Sequence, residues 1–451
     1  MNILKINKLA LDLVALDFSD NRDADNGGPT KTARALAIIH LAARDAYAKV
    51  TSTLTPKLAG LPNPPAGVTD GEAAVLGAGI RAATLLYPRP DLASFINTQA
   101  AILTAGVNAA ALAYGKDVGD KWFQSRQNDN SNLPQIDPVN FILNNEPGHH
   151  RPDPVSKKRA LGRNWNKVTP FVINSVATDA PLAPPPKLTD EAYAKAFDDV
   201  FVNGRNNITE RSARFREQAE IGIFWGYDGA NKIGTPPRLY NQFVVAAEDF
   251  KKLGAKEQIN VLAAINAAMA DASIAAWHWK YAYDFWRPVV AIREADKGFG
   301  PTGKGDGNTL REKKGDPFWL PLGAPNSNPL SPLPPANPNL PSAYFNFTPN
   351  FPAYPSGHST FGSACFETFA GLIGKQTDKI SVTFVSDEFN AITTDNDGVT
   401  RPNWIQTLTL KEAIAQNSIS RIYLGVHWSF DATGGAIVGN AIAAKAIAAF
   451  K

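Results

Sequence analysis

Apolar residues recur three and four positions apart through Thr32–Val50, Gly71–Leu86, Asp91–Ala113, Glu191–Phe201, Glu210–Trp225 and Glu257–Phe285. That is the period of a helix burying one face, and it predicts six helices. Ser359–Ile373, Leu410–Tyr423 and the Ala-rich Ala432–Phe450 add three more. Strand-type alternation is scarce, with Ile380–Val385 its best instance. Thr189 before Glu191 and the apolar face of Tyr193, Ala196 and Phe197 predicts a capped helix start, just after a linker at Pro184–Pro186. Gly298–Pro355 is crowded with Gly, Pro and Asn, so it predicts an ordered covering loop or a lid. The pattern predicts an all-α protein of helical bundles, with an N-terminal helical part over 1–188 and a C-terminal part over 189–451 within one domain.

Composition narrows this picture without naming a function. The 451 residues are 44% hydrophobic, enough for a substantial core, and 45 basic residues against 42 acidic leave +3. A charge so near balance gives no reason to expect nucleic acid as a partner. A single cysteine, Cys365, excludes an internal disulfide and a thiolate metal site. Met1–Asp20 is broken by Lys5, Lys8, Asp12 and Asp17, so no signal-peptide core is expected. No membrane span is expected either, because Lys445 interrupts the C-terminal Ala-rich run. The expectation is a soluble chain, cytoplasmic or exported by another route.

Three segments set basic or hydroxyl residues in apolar surroundings. In Lys280-Tyr-Ala-Tyr-Asp-Phe-Trp-Arg287-Pro288, a spacing of seven returns nearly to the same azimuth. The spacing therefore predicts Lys280 and Arg287 on one helix face, with Pro288 ending the helix. Tyr354-Pro-Ser356-Gly357-His358 leads into a helix, whose free N–H groups and missing Gly357 Cβ would seat an anion. In Ser420-Arg421-Ile-Tyr-Leu-Gly425-Val-His427, a spacing of six separates Arg421 from His427 on a helix, so convergence requires a turn, which Gly425 permits. Taken singly these are a solvated stripe, an ordinary helix cap and a packed histidine.

In this order and spacing, the three segments resemble the superfamily of vanadium haloperoxidases, type 2 phosphatidic acid phosphatases and bacterial acid phosphatases. Ile223-Phe-Trp-Gly-Tyr-Asp228-Gly, Ile233-Gly-Thr-Pro-Pro-Arg238, Asp316–Pro325 and Phe351-Pro-Ala-Tyr-Pro-Ser-Gly-His358 are similar to the fungal chloroperoxidase branch. Weaker similarity at Thr32–Tyr47 extends it over most of the chain.

The resemblance implies two four-helix bundles and a vanadate cofactor, with no haem and with phosphate able to take vanadate's place in the isolated protein. It implies that His427 bonds the metal and that Lys280, Arg287 and Arg421 neutralise its oxygens. Ser356 and the Gly357 N–H donate hydrogen bonds, His358 is the acid–base group, and Lys280 polarises bound peroxide. Asp228 orients an arginine, and Trp277 and Phe351 flank the halide region. Hydrogen peroxide, halide and a small organic acceptor follow as substrates, with the oligomeric state open.

Asp431 either supports His427 or caps the last helix. His40 is expected as a hydrogen-bonded core residue, His278 off the Lys280 face, and His149 and His150 in turn packing or, as the alternative, lining an entrance. The rival within the superfamily is a phosphatase using His427 as nucleophile and His358 as acid. A non-catalytic oxyanion-binding helical protein is the third reading.

Overall fold

In the computed structural model, residues 1–19, 23–135, 144–206, 213–311, 315–329 and 346–451 are described, except the side chains of 213–215. Their helices are α1 (Asn2–Asp17), α2 (Gly28–Thr51), α3 (Gly71–Leu86), α4 (Pro90–Thr104), α5 (Ala109–Ser125), α6 (Val176–Asp179), α7 (Glu191–Asn203) and α8 (Ala213–Phe224). They continue as α9 (Pro236–Ala246), α10 (Glu248–Lys251), α11 (Ala255–Tyr283), α12 (Pro288–Glu294), α13 (Gly357–Leu372), α14 (Leu410–Tyr423) and α15 (Ser429–Phe450). The expected all-helical architecture is what the chain adopts. One antiparallel ribbon, β1 (Ser381–Asn390) with β2 (Asn403–Thr409), is added to it.

Local chemistry explains many helix starts. Asp70 and Asn108 accept the N–H groups of Ala73 and Ala111, and Thr409 with Glu412 forms a capping box before α14. Proline occupies the first turn of α2, α4, α9 and α12, where its missing N–H costs nothing.

Several expectations are corrected. Asp91–Ala113 is two helices, because the chain leaves α4 at Thr104 and turns through Gly106 at φ +71°. Asp190, not Thr189, is the N-cap of α7, and its side chain makes no cap bond. Asn2–Asp17 forms α1, which the apolar pattern did not suggest. The helix expected from Glu210 begins its described course at Ala213, and Glu210 lies outside the described residues.

Among the described residues two helices, α11 and α15, are long and apolar enough to cross a membrane by length and composition alone, a test that the core helix of a folded protein also passes. For α11 the explanation is burial, since 94% of its most apolar window lies inside the protein.

Packing centres on α11, which lies against α2 on one side and against α13 and α15 on the other. Each fully buried Leu262 or Ile265 on it contributes roughly 1.5–3 kcal/mol of transfer free energy. α2, α3 and α5 pack together at the N-terminal end, flanked by α1. α15 approaches α13 closely because it presents glycine there: a Cβ on Gly435 would lie 2.6 Å from the Ser356 carbonyl oxygen, and one on Gly439 2.6 Å from that of Thr360. This contact places the start of α13, where the candidate site lies.

Candidate active site

Lys280 sits in the last turn of α11, fully buried. Its Nζ donates to the carbonyls of Pro352, Ala353 and Pro355 at 2.9, 2.9 and 2.5 Å. All three ammonium donors are thus engaged with the loop entering α13. Burial first, then nearby Arg287, pushes the Lys280 amine well below its usual value.

Arg287 does not share a helix face with Lys280, as the spacing predicted. Asp284 takes left-handed φ +50° and ends α11, and Pro288 begins α12 instead of ending a helix, leaving Arg287 as its N-cap. The chain reversal itself turns Arg287 toward the other segments. Its Nε donates to the Phe351 carbonyl at 2.9 Å and its Nη1 to that of Val426 at 2.7 Å. Nη1 also lies 3.0 Å from His427 Nε2.

Arg421 lies in the last turn of α14, and the turn that Gly425 was expected to permit is present, at φ +71°. It delivers His427 to Arg287. The His427 Nδ1–H donates to Asp431 Oδ2 at 2.8 Å, which leaves the Nε2 lone pair facing the arginine. The Trp428 N–H donates to the same oxygen at 3.0 Å, so Asp431 both caps α15 and supports His427. Burial, followed by Arg287 and Lys280, holds the His427 imidazole well below its usual pKa, and burial raises Asp431 to about 7. Arg421 is clamped by Asp228, Nη1 to Oδ2 at 3.0 Å and Nη2 to Oδ1 at 2.8 Å.

Ser356 is the N-cap of α13, yet its hydroxyl makes no cap bond and has no hydrogen-bond partner among the described residues. The same holds for two buried guanidinium nitrogens, Arg287 Nη2 and Arg421 Nε. His358 donates Nε2–H to the Gly226 carbonyl at 2.8 Å, leaving Nδ1 to take a proton. Burial first, then Arg421, lowers its pKa to about 4, so the ring is a neutral base near pH 7.

Asp228, Trp277, Phe351, Gly357, His358, Arg421 and His427 line a chamber of about 550 Å³, with Phe361, Leu161 and Phe347 among its apolar walls, whereas Lys280, Arg287 and Ser356 are not part of that lining. Trp277 and Phe351 pack together at 4.7 Å, and the Lys280 ammonium lies 5.1 Å from the Phe351 ring centroid.

Of the remaining histidines, His150 is buried with neither ring nitrogen hydrogen-bonded among the described residues, and the other three have neighbours that fit packing. His40 bonds the Leu36 carbonyl and Asn7, His149 pairs with Asp284 at 3.2 Å, and His278 stands edge-on to Trp279. Sequence reading missed Asn417 and Tyr240, which hold the His358 carbonyl at 2.8 and 3.2 Å. For Asn417 there was a signal, a polar residue one helical turn before Arg421. It also missed the three carbonyls that hold Lys280.

Unpaired buried donors, clustered cations and an imidazole lone pair are the chemistry that an oxyanion could satisfy. The comparisons with known proteins agree with that class. The family model described as the VCPO second helical-bundle domain matches residues 260–451, the part carrying most of these side chains. Vanadium chloroperoxidase from Curvularia inaequalis is 31% identical, over 90% of this chain and 75% of that protein. The chain belongs to the vanadium-dependent haloperoxidase family.

Two solved structures share its fold. One is described as the first bacterial vanadium-dependent iodoperoxidase, with TM-score 0.73, 21% identity and coverage of 99% of this chain and 95% of that one. The other is a holo-type bacterial vanadium-dependent chloroperoxidase, with TM-score 0.67, 17% identity and coverage of 94% and 92%.

Proposed function

We propose that this protein binds vanadate and uses hydrogen peroxide to oxidise a halide, which then halogenates a small organic acceptor. The observation that supports the reading is a set of buried polar atoms without partners among the described residues, Ser356 Oγ, Arg287 Nη2 and Arg421 Nε, on segments joined to that of His427: Arg287 Nη1 lies 3.0 Å from its Nε2, and the Ser356 N–H donates to the Asp431 carbonyl at 2.9 Å. An oxyanion supplies the acceptors these donors lack and relieves the repulsion among Lys280, Arg287 and Arg421. The donor set therefore fits vanadate. His427 would bond the metal, with the arginines, Ser356 and the Gly357 N–H on its oxygens. When bound, vanadate supplies a Lewis-acid centre that keeps its highest oxidation state while making peroxide electrophilic toward halide.

The chain's own residues do the rest. Asp431 fixes the His427 tautomer through Nδ1. His358, held through Nε2, accepts a proton at Nδ1 and returns it, and its lowered pKa keeps it unprotonated at neutral pH. Lys280 reaches an anion by releasing one of its three carbonyls, so its charge rather than a fourth bond is its main contribution. Trp277, Phe351 and Phe361 keep the chamber wall dry, so that halide and oxidant meet poorly hydrated.

The test is peroxide-dependent halogenation with chloride, bromide and iodide, on protein with and without added vanadate. Activity is expected only with vanadate, and His427→Ala is expected to lower it by more than roughly a hundredfold. Phosphate-ester hydrolysis without vanadate-dependent halogenation would overturn the reading in favour of a phosphatase. Vanadate binding without either turnover would leave an oxyanion-binding protein.

A further inference from the structure

Behind His358 lies a buried carboxylate that the proposed reaction does not use. Glu388, on β1, is fully buried. Its Oε2 accepts from Ser327 Oγ at 2.5 Å and from Arg401 Nη1 at 2.5 Å. Its Oε1 completes no hydrogen bond of standard geometry and lies against Gly226, where an added Cβ would be 3.2 Å from it.

Gly226 contributes the carbonyl that holds His358 Nε2–H, and the N–H of that same peptide unit belongs to Tyr227. The Tyr227 N–H is the backbone group that stabilises the Glu388 charge, alongside Arg401 and Ser327. Burial pushes the carboxyl up to about 6, with Asp228 adding in the same direction. β1 grips this segment at two further points: Ser386 Oγ donates to the Phe224 carbonyl at 2.6 Å, and the Asp387 N–H donates to Tyr227 Oη at 2.8 Å.

We propose that Glu388 is a positioning residue for His358, acting through the Gly226–Tyr227 peptide unit. A carboxylate facing the N–H end of a peptide polarises its carbonyl end, and hydrogen bonds joined through one peptide strengthen each other. Glu388 thereby tightens the Gly226 grip on Nε2–H, raises the basicity of Nδ1 and keeps the ring turned to the chamber. Asp228, one residue beyond Tyr227, is held in register with Arg421 by the same clamp. The proposal rests on His358 being the acid–base group.

The test uses the vanadate-loaded full chain with Glu388→Gln, which keeps the shape and removes the charge, and with Glu388→Gln/Arg401→Met, which removes the buried pair together and so leaves no unpaired cation. Expected in both are a roughly tenfold fall in kcat, a halide KM within about twofold of wild type, and an acid limb of the kcat profile displaced to lower pH. Independently of turnover, the ¹⁵N and ¹H signals of the His358 ring, assigned with His358→Gln, should show a weakened Nε2–H hydrogen bond. Folded variants with wild-type imidazole signals and an unmoved acid limb would overturn the proposal and make Glu388 the anchor of Arg401 alone. If the wild-type protein halogenates nothing, the functional reading fails, while the imidazole signals still decide the positioning.

Discussion

Arg421 is fully buried, and Asp228 is the carboxylate that meets it, through two parallel bonds. Taking one member from such a pair leaves a charge without water or partner, a loss of about 3–5 kcal/mol, whereas the pair's own net contribution is small. Asp228→Ala is therefore expected to destabilise the vanadate-free protein by about that amount, and Asp228→Asn by clearly less, in urea unfolding followed by circular dichroism. Equal stability of Asp228→Ala and wild type would mean that Arg421 finds water or another acceptor. The cations and imidazoles of the site were legible in the sequence because such residues stand out in apolar stretches. The role of Asp228 was readable only through resemblance, since 193 residues separate it from its partner. The carbonyls that hold Lys280 were not legible at all, because a backbone oxygen carries no sequence signature.

Elements convert those residues into a site, and the turns between helices do most of the converting. Gly425 is the sharpest case: it holds φ +71°, and an added Cβ would stand 2.3 Å from the Gly204 carbonyl oxygen. Left-handed backbone costs a side chain about 1–2 kcal/mol, and the backbone clash adds more, so Gly425→Ala should lose at least about 3 kcal/mol. Because this turn carries His427 to Arg287, vanadate affinity, measured by equilibrium dialysis, should fall with it. A stable variant with unchanged affinity would show that α14 and α15 find their relative placement elsewhere. Sequence reading anticipated this turn from the spacing of six, since no straight helix brings Arg421 and His427 together. The same logic misled at Lys280 and Arg287, where a spacing of seven satisfied an unbroken helix and so concealed the left-handed Asp284. A helical period reports which residues are apolar; it is blind to one αL residue near the helix end. β2 escaped for a related reason, since none of its side chains is fully buried and its alternation is between exposed and half-buried positions.

At the scale of the whole molecule, the site depends on an N-terminal layer that lends its chamber only Phe18, Gly28 and Pro29 and none of its charged groups. α2 packs along α11, whose last turn carries Lys280, and His40 within α2 is buried, bonding the Leu36 carbonyl at 2.7 Å and Asn7 of α1 at 3.0 Å. Burial lowers the His40 pKa from 6.5 to about 4. A lowered imidazole means that the unfolded chain binds a proton from pH 6.5 downward while the folded protein refuses it until about 4. The associated stability is complete above 6.5 and is lost as pH falls through that window, about 3 kcal/mol in all. His40→Gln forfeits contacts at pH 7 but has no proton to take up, so the gap between wild type and variant should shrink by about 3 kcal/mol between pH 7 and pH 4 in urea unfolding. Parallel pH curves would show that His40 is protonated at little cost. His358 is lowered to the same region, so acid loss of the proposed halogenation would have two separable sources. Unfolding through α2 changes with His40→Gln, whereas a brief assay on still-folded protein reads the chamber alone and should not respond to that substitution.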